Sequence, residues 1–241
     1  MSQIIKEFQS STNHKKIFCF PFAGGYSVSF RPLNTYLQDF FHILAIEPPG
    51  HGTNRMKLND NFEELINIYI QELTPLLDGV DFSLFGHSMG GLIVYRLAQE
   101  MEKKGVFPRA IFISATKPPQ HNYTNISNFD DTHLINYLIK LGGIPKELVQ
   151  SKELLQFFLP IFRADFKALE TFKHNDHTLL QSPVHIFNGK LDHMCFQHSS
   201  GWNRWANEVH FHNFSGGHMF LNSEVEEVAK KIRLILNNNS L

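Results

Sequence analysis

Cysteine is nearly missing from this 241-residue chain: Cys19 and Cys195 are the only two, which excludes a disulfide framework and predicts two reduced thiols in a core. Charge of one sign is missing too. Lys and Arg number 22 against 23 Asp and Glu, a formal net charge of −1, so the clustered cations that a nucleic-acid binder needs are absent. No apolar run approaches the roughly 18–20 residues of a membrane-spanning helix. The first residues, Met1 to Glu7, lack the apolar stretch of about 7–15 residues that marks a secretory signal. These absences predict a cytoplasmic protein with neither nucleic acid nor membrane as partner. The Asn-x-Ser/Thr sequons at Asn122, Asn125 and Asn238 are accordingly not expected to carry glycans.

What the chain has in quantity is phenylalanine, 23 residues against 6 Tyr and 2 Trp. With 42% apolar and 19% charged residues, it can bury a core, and its length suits one α/β domain. Short apolar runs ending at turn residues predict six strands: Ile17–Phe20, His42–Ile46, Phe82–Phe85, Ala110–Ala115, Val184–Asn188 and Val209–Phe214. Helical patterns lie between them, about Asn61–Leu77, with Asp60 as its N-cap, and Gly91–Lys104, with Gly105 past its end. A closing helix covers about Glu224–Leu236, and Asn237 to Asn239 form a frayed tail. Alternation of this kind predicts right-handed crossovers and a mostly parallel sheet covered on both faces.

Between Lys117 and Thr178 the alternation stops. Three helical patterns, Asp131–Leu141, Lys146–Phe158 and Ile161–Phe172, are separated by Gly142-Gly143, Pro145 and Pro160. The segment reads as a helical lid over the active-site end of the sheet, or as ordinary helices packed on it. It carries seven Lys/Arg and seven Asp/Glu, so docking of a partner on it is expected to be mainly apolar. It also holds 6 of the 23 Phe, a proportional share, so the phenylalanines read as sheet core rather than a greasy lid. Phe22 and Phe220 are the two expected to flank the site.

Gly86-His87-Ser88-Met89-Gly90-Gly91 fits G-x-S-x-G between a predicted strand and a predicted helix. Ser88 would occupy a strained turn that needs small residues two before and two after it. The turn lifts the hydroxyl above the sheet at a helix N-terminus, where partial positive charge favours a developing oxyanion. A serine hydroxyl needs a base. Among 14 histidines, His218 follows the last strand through Ser215-Gly216-Gly217, at the strand end where α/β active sites gather. Asp192, after the preceding strand, is the acid that would orient it, with Asp165 and Asp176 as rivals in or beside the insertion. His87 reads as a packed structural residue, His51 as part of a turn, and His174 with His177 as a surface pair rather than a metal site. The oxyanion donors are expected to be the backbone N–H groups of Met89 and Ala23, the latter in Phe22-Ala23-Gly24-Gly25.

The motifs resemble those of the type II thioesterases of nonribosomal peptide and polyketide synthesis. Phe20-Pro21-Phe22-Ala23-Gly24-Gly25 is similar to that family's opening signature and Glu47-Pro48-Pro49-Gly50-His51-Gly52 to its second. The elbow around Ser88 matches its elbow, Leu141-Gly142-Gly143, Phe158-Leu159-Pro160 and Arg163-Ala164-Asp165-Phe166 resemble its lid, and Gly216-Gly217-His218-Met219-Phe220 matches its histidine loop. The acid loop Asn188 to His193 keeps the Gly-to-Asp spacing but lacks the proline common after it. The similarity runs nearly end to end, nearest to the stand-alone members that accompany surfactin synthetase. It implies an α/β-hydrolase fold with a catalytic Ser88, Asp192 and His218, no metal and no cofactor of its own. It implies a monomer that hydrolyses misloaded or stalled acyl groups, notably acetyl, from the phosphopantetheine arm of peptidyl or acyl carrier domains. The residues alone specify a serine acyl hydrolase, and a carboxylesterase or lipase with the same triad is the alternative.

Overall fold

Ile17, Phe18, Cys19 and Phe20 are all fully buried, yet they pack into two different clusters. Successive side chains of a strand point to opposite faces, so a strand covered on both sides reads as an unbroken apolar run. The computed structural model, which describes residues 3–9, 13–121, 123, 125–144 and 149–238, places this strand near the centre of a seven-stranded sheet. Its strands are β1 (Ile5–Glu7), β2 (Lys15–Phe20), β3 (His42–Ile46), β4 (Asp81–His87), β5 (Ile111–Ser114), β6 (Val184–Gly189) and β7 (Val209–Phe214). Their order is β1-β3-β2-β4-β5-β6-β7. All neighbouring pairs are parallel except β1, which runs antiparallel along β3. All six expected strands are present, and β1 is the addition. At three residues it is too short for any periodicity to announce.

One face of the sheet is covered by α2 (Phe62–Leu73) and α3 (Met89–Lys103), through Phe62, Leu65, Leu92 and Ile93 among others. The other is covered by α1 (Arg31–Leu37) and α8 (Val225–Asn238), through Leu33, Leu37, Val228 and Ile232. This is the α/β-hydrolase fold. Several local expectations are corrected. Helix α1, unforeseen, begins with Pro at its second position, where the missing N–H leaves no bond unmade. The cap of α2 is Asn61, not Asp60: its side chain accepts the Glu64 N–H at 3.1 Å. The last helix continues through Asn238 instead of fraying at Asn237.

The region 117–178 contains no strand among the described residues. Helix α4 (Asp131–Leu141) has the expected bounds and ends at Gly142, whose φ of 71° is the left-handed cap conformation. The start of the expected Lys146–Phe158 helix, Pro145 and the Asn122 position lie outside the described residues. Beyond them one helix, α5 (Lys152–Thr171), runs straight through Pro160, where two were expected. An interior proline removes one intrahelical bond and costs about 3 kcal/mol. Here Gln156 and Pro160 are both exposed, so water can reach the orphaned carbonyl, and Leu159, Phe162, Phe166 and Leu169 bury the opposite face. Packing outweighs propensity. Short helices α6 (His193–Phe196) and α7 (Phe220–Ser223) come after β6 and β7. Both thiols, Cys19 and Cys195, are free and buried, and no helix is long and apolar enough to cross a membrane among the described residues.

Candidate active site

Ser88 joins β4 to α3 with φ 55° and ψ −114°, a backbone conformation that non-glycine residues seldom adopt. The flanking glycines explain how the turn closes. A Cβ on Gly86 would lie 2.0 Å from the Gly90 carbonyl oxygen, and one on Gly90 2.1 Å from that of Phe20. Only hydrogen fits at either place. The Ser88 N–H donates to the Ser114 carbonyl at 2.7 Å, and the Thr116 hydroxyl donates to the Ser88 carbonyl at 2.8 Å. Strained turns persist only where surrounding bonds over-determine them, and these do so.

The same edge of the sheet receives Asp192 after β6 and His218 after β7, because parallel strands end on one side. Asp192 caps α6, its Oδ1 accepting the Cys195 N–H at 3.3 Å. Its Oδ2 accepts from His218 Nδ1 at 2.7 Å, and His218 Nε2 stands 2.9 Å from the Ser88 hydroxyl oxygen. Burial pushes the Asp192 carboxyl up, but the His218 bond and the Cys195 N–H bring it below its ordinary range. A carboxylate accepting from Nδ1 places the imidazole lone pair on Nε2, aimed at Ser88. The three can therefore pass the serine proton to His218 and stabilise the imidazolium that results.

His87 is the structural residue that the sequence suggested, and its task is visible. It is fully buried, with Nε2 3.1 Å from the His218 carbonyl and Nδ1 2.8 Å from the Ser114 hydroxyl. A carbonyl only accepts, so Nε2 carries the proton and Nδ1 accepts from Ser114. This neutral ring fixes the backbone of the histidine loop. Burial and the neighbouring His218 push its pKa down to about 3. A histidine so depressed stays neutral in the fold while the unfolded chain takes up a proton near its ordinary value. Its contribution to stability is thus full above about pH 6.5 and lost as pH falls toward 3. The Tm of the wild type is expected to drop over that window more than that of His87→Gln, as monitored by circular dichroism.

The rival acids are engaged elsewhere. Asp176 binds Lys103 Nζ at 2.5 Å, and Asp165 binds His51 Nε2 at 3.0 Å and the Gly24 N–H at 2.6 Å. His51 is therefore more than turn chemistry. His174 is half-buried against Trp205, with ring centroids 4.2 Å apart, and no third ligand joins it and His177 among the described residues. One trio, Asp192, Cys195 and His218, has ligand atoms within 4.8 Å of one another. A metal there would have to part the Asp192–His218 bond and find a thiolate, whereas burial and the Asp192 charge raise the Cys195 thiol well above its usual value. The trio fits an Asp–His pair with a thiol beside it.

Ala23 lies in the turn after β2, closed by the Gly25 N–H donating to Phe22 O at 2.8 Å. Because Phe20 of β2 pairs with Gly86 of β4, this turn reaches the same sheet edge as Ser88. Two cavities open there. One of about 450 Å³ is lined by Phe22, Gly24, Phe158, Phe162 and Met219; one of about 410 Å³ by Tyr137, Leu141, Asp192, Met194 and His218. A larger cavity of about 640 Å³, walled by Leu77, Phe82, Met101 and Phe107, sits at the opposite ends of the strands. Phe22 lines the first cavity, whereas Phe220 is buried in the core, its ring centroid 5.6 Å from that of His87.

A thioesterase-domain family model matches residues 15–236. The chain belongs to the thioesterase family. This thioesterase is 27% identical over 250 residues to the gramicidin S biosynthesis protein GrsT of Aneurinibacillus migulanus, covering 98% of this chain and 97% of that one. It is 30% identical to the probable anguibactin biosynthesis thioesterase AngT of Vibrio anguillarum, with 98% of each chain covered. Among solved structures it is similar to the type II thioesterase BorB from the borrelidin biosynthetic cluster, at TM-score 0.85, 26% identity and 98% coverage of both chains. The thioesterase is thus a hydrolase whose relatives serve nonribosomal peptide and polyketide pathways.

Proposed function

We propose that this thioesterase is a repair hydrolase of a nonribosomal peptide synthetase. It would clear misloaded or stalled acyl groups, acetyl among them, from the phosphopantetheine arm of peptidyl or acyl carrier domains and return the free thiol. The observation that carries the reading is the line Ser88–His218–Asp192, with contacts of 2.9 and 2.7 Å, its His218 and Asp192 lining one of the two cavities. End-to-end similarity to biosynthetic thioesterases supports the substrate class. Resemblance to the surfactin-associated members suggests a synthetase of that kind, and a cytoplasmic monomer is part of the proposal.

In the proposed reaction the Ser88 oxygen attacks the thioester carbonyl carbon as His218 Nε2 takes its proton. The oxyanion is held by the N–H groups of Met89, at the start of α3, and Ala23. Collapse expels the pantetheine thiol, which takes the proton from His218 and leaves an acyl group on Ser88. Water, deprotonated by His218, then attacks the ester, releases the acid and restores the serine. No metal or cofactor is required, since the arm belongs to the partner. The whole chain acts as one domain, with the segment 117–178 as its lid: Tyr137, Leu141, Phe158 and Phe162 wall the two cavities from that side.

The test is a panel of acyl groups on a carrier protein, compared with acetyl-CoA and 4-nitrophenyl esters. Acetyl on the carrier is expected to exceed acetyl-CoA by at least about tenfold in kcat/KM, through the extra binding energy of the carrier domain. If free esters win by orders of magnitude, a carboxylesterase reading replaces this one.

A further inference from the structure

Asp165, on α5, is 6% exposed, and its partner His51 is 2% exposed. A charge this deep needs its bonds satisfied, and here they can be counted. His51 Nδ1 stands 3.0 Å from the Pro49 carbonyl and Nε2 3.0 Å from Asp165 Oδ2. The carbonyl can only accept. Oδ2 accepts already from the Gly24 N–H at 2.6 Å, as an ionised oxygen does. Toward a carboxylate oxygen that only accepts, both ring nitrogens donate, and His51 then satisfies both contacts as an imidazolium.

The groups that face this ring agree. Burial alone would push His51 down, but Asp165 from α5, the Pro49 carbonyl and Glu47 from the end of β3 leave it above its ordinary value. Tyr69 of α2, whose hydroxyl burial and the Asp165 charge push up, adds no charge. Glu47 is itself occupied: it accepts the Thr53 N–H at 2.5 Å, the Thr53 hydroxyl at 2.7 Å and the Ser27 hydroxyl. That knot fixes the loop carrying His51.

The bond to Gly24 acts on the neighbouring donor. The Ala23 N–H shares a rigid peptide with the Phe22 carbonyl, and in a trans peptide the two point in opposite directions. The Gly25 N–H binds that carbonyl at 2.8 Å, and Asp165 binds the N–H of the next peptide. Both peptides around Ala23 are thus held, one from within the turn and one from α5. Helix α5 also presses on the same glycine: a Cβ on Gly24, where φ is 76°, would lie 2.0 Å from the Phe162 ring.

We propose that Asp165 and His51 are positioning residues for the reaction, an ion pair through which α5 aims the Ala23 N–H at the developing oxyanion. The inference rests on the role proposed above for Ser88 and Ala23. A donor that turns away from the oxyanion costs roughly 10²–10³-fold in rate when lost outright. Loss of one of two restraints on it is expected to cost less.

The experiment measures kcat and KM of Asp165→Asn and of His51→Gln with 4-nitrophenyl acetate and acetyl-loaded carrier protein, from pH 6 to 9.5. Thermal melts and circular dichroism accompany each. Asp165→Asn is expected to lose about 10- to 100-fold in kcat on both substrates, with KM for the carrier little changed. His51 has a raised pKa, so its charge is present below the ordinary value and lost as pH rises through the folded one. The wild-type kcat should therefore fall at the alkaline end, and His51→Gln, which cannot titrate, should lack that limb. A folded Asp165→Asn within twofold of wild type in kcat, or changed in KM alone, overturns the inference. So does an alkaline limb unaltered in His51→Gln, which decides the matter should Asp165→Asn fail to fold. Failure of the underlying reading looks different, because Ser88→Ala would then hydrolyse both substrates as the wild type does.

Discussion

Ser88→Ala is expected to lower kcat by roughly 10⁴–10⁶-fold on acyl-carrier and ester substrates, the range seen when one member of such a unit is removed. The protein should still fold. The Ser88 hydroxyl contacts His218 Nε2, whereas the bonds that hold the turn, from Ser88 N–H to Ser114 and from Thr116 to the Ser88 carbonyl, use its backbone. Carrier binding should survive for the same reason, which separates catalysis from a docking role. Stopped-time hydrolysis with mass-spectrometric detection of the released acid, beside a titration of carrier binding, gives both readouts. Residual turnover above a tenth of wild type would remove Ser88 as nucleophile. Unchanged biosynthetic yield in cells carrying the variant would favour a protein that acts by docking.

Asp192→Asn should be nearly as damaging, about 10⁴-fold in kcat, although it deletes no atom that touches substrate. The wild-type carboxylate accepts from His218 Nδ1 at 2.7 Å and so keeps the Nε2 lone pair facing Ser88. An amide placed there can turn its NH₂ group toward Nδ1. The ring then carries its proton on Nε2, with a hydrogen where the base should be. It also loses the negative charge that stabilises the imidazolium. The cap on α6 needs just one acceptor, Oδ1 toward the Cys195 N–H, and Asn can supply it, so the fold should hold. Near-wild-type kcat in a folded Asp192→Asn, measured with 4-nitrophenyl acetate, would exclude Asp192 as the orienting acid.

The two variants probe the part of the site most legible in the sequence. Ser88, Asp192 and His218 could be singled out as candidates because each comes just after a strand of a parallel sheet, and parallel strands deliver their C-terminal loops to one edge. Strand recognition was reliable where both faces are buried, as in Ile17 to Phe20, since the run is then continuous. It failed for β1, Ile5 to Glu7, whose pairing along β3 is supplied by the partner strand rather than by its own pattern. Pro160 misled in the other direction. Its local cost is real, but the burial of Phe162, Phe166 and Leu169 along the same helix outweighs it, and no window of a few residues contains that term. Asp60 and Asn61 are both good caps, and which one serves depends on the residue at which α2 starts, a point set by Phe62 entering the core.

The scarce cysteines, the balanced charge, the alternating apolar runs and the spacing of Gly86, Ser88 and Gly90 were enough to specify a parallel α/β domain with a serine elbow. These properties are local, or arise from the way any parallel sheet places its strand ends. Asp165 and His51 are separated by 114 residues, and Asp165 and Gly24 by 141. Nothing near Asp165 distinguishes an acid that orients a base from one that clamps a backbone loop. The bonds of Asp165 were decided when α5 packed over the turn after β2, because a carboxylate pairs with its nearest donors, and those donors come from distant parts of the chain.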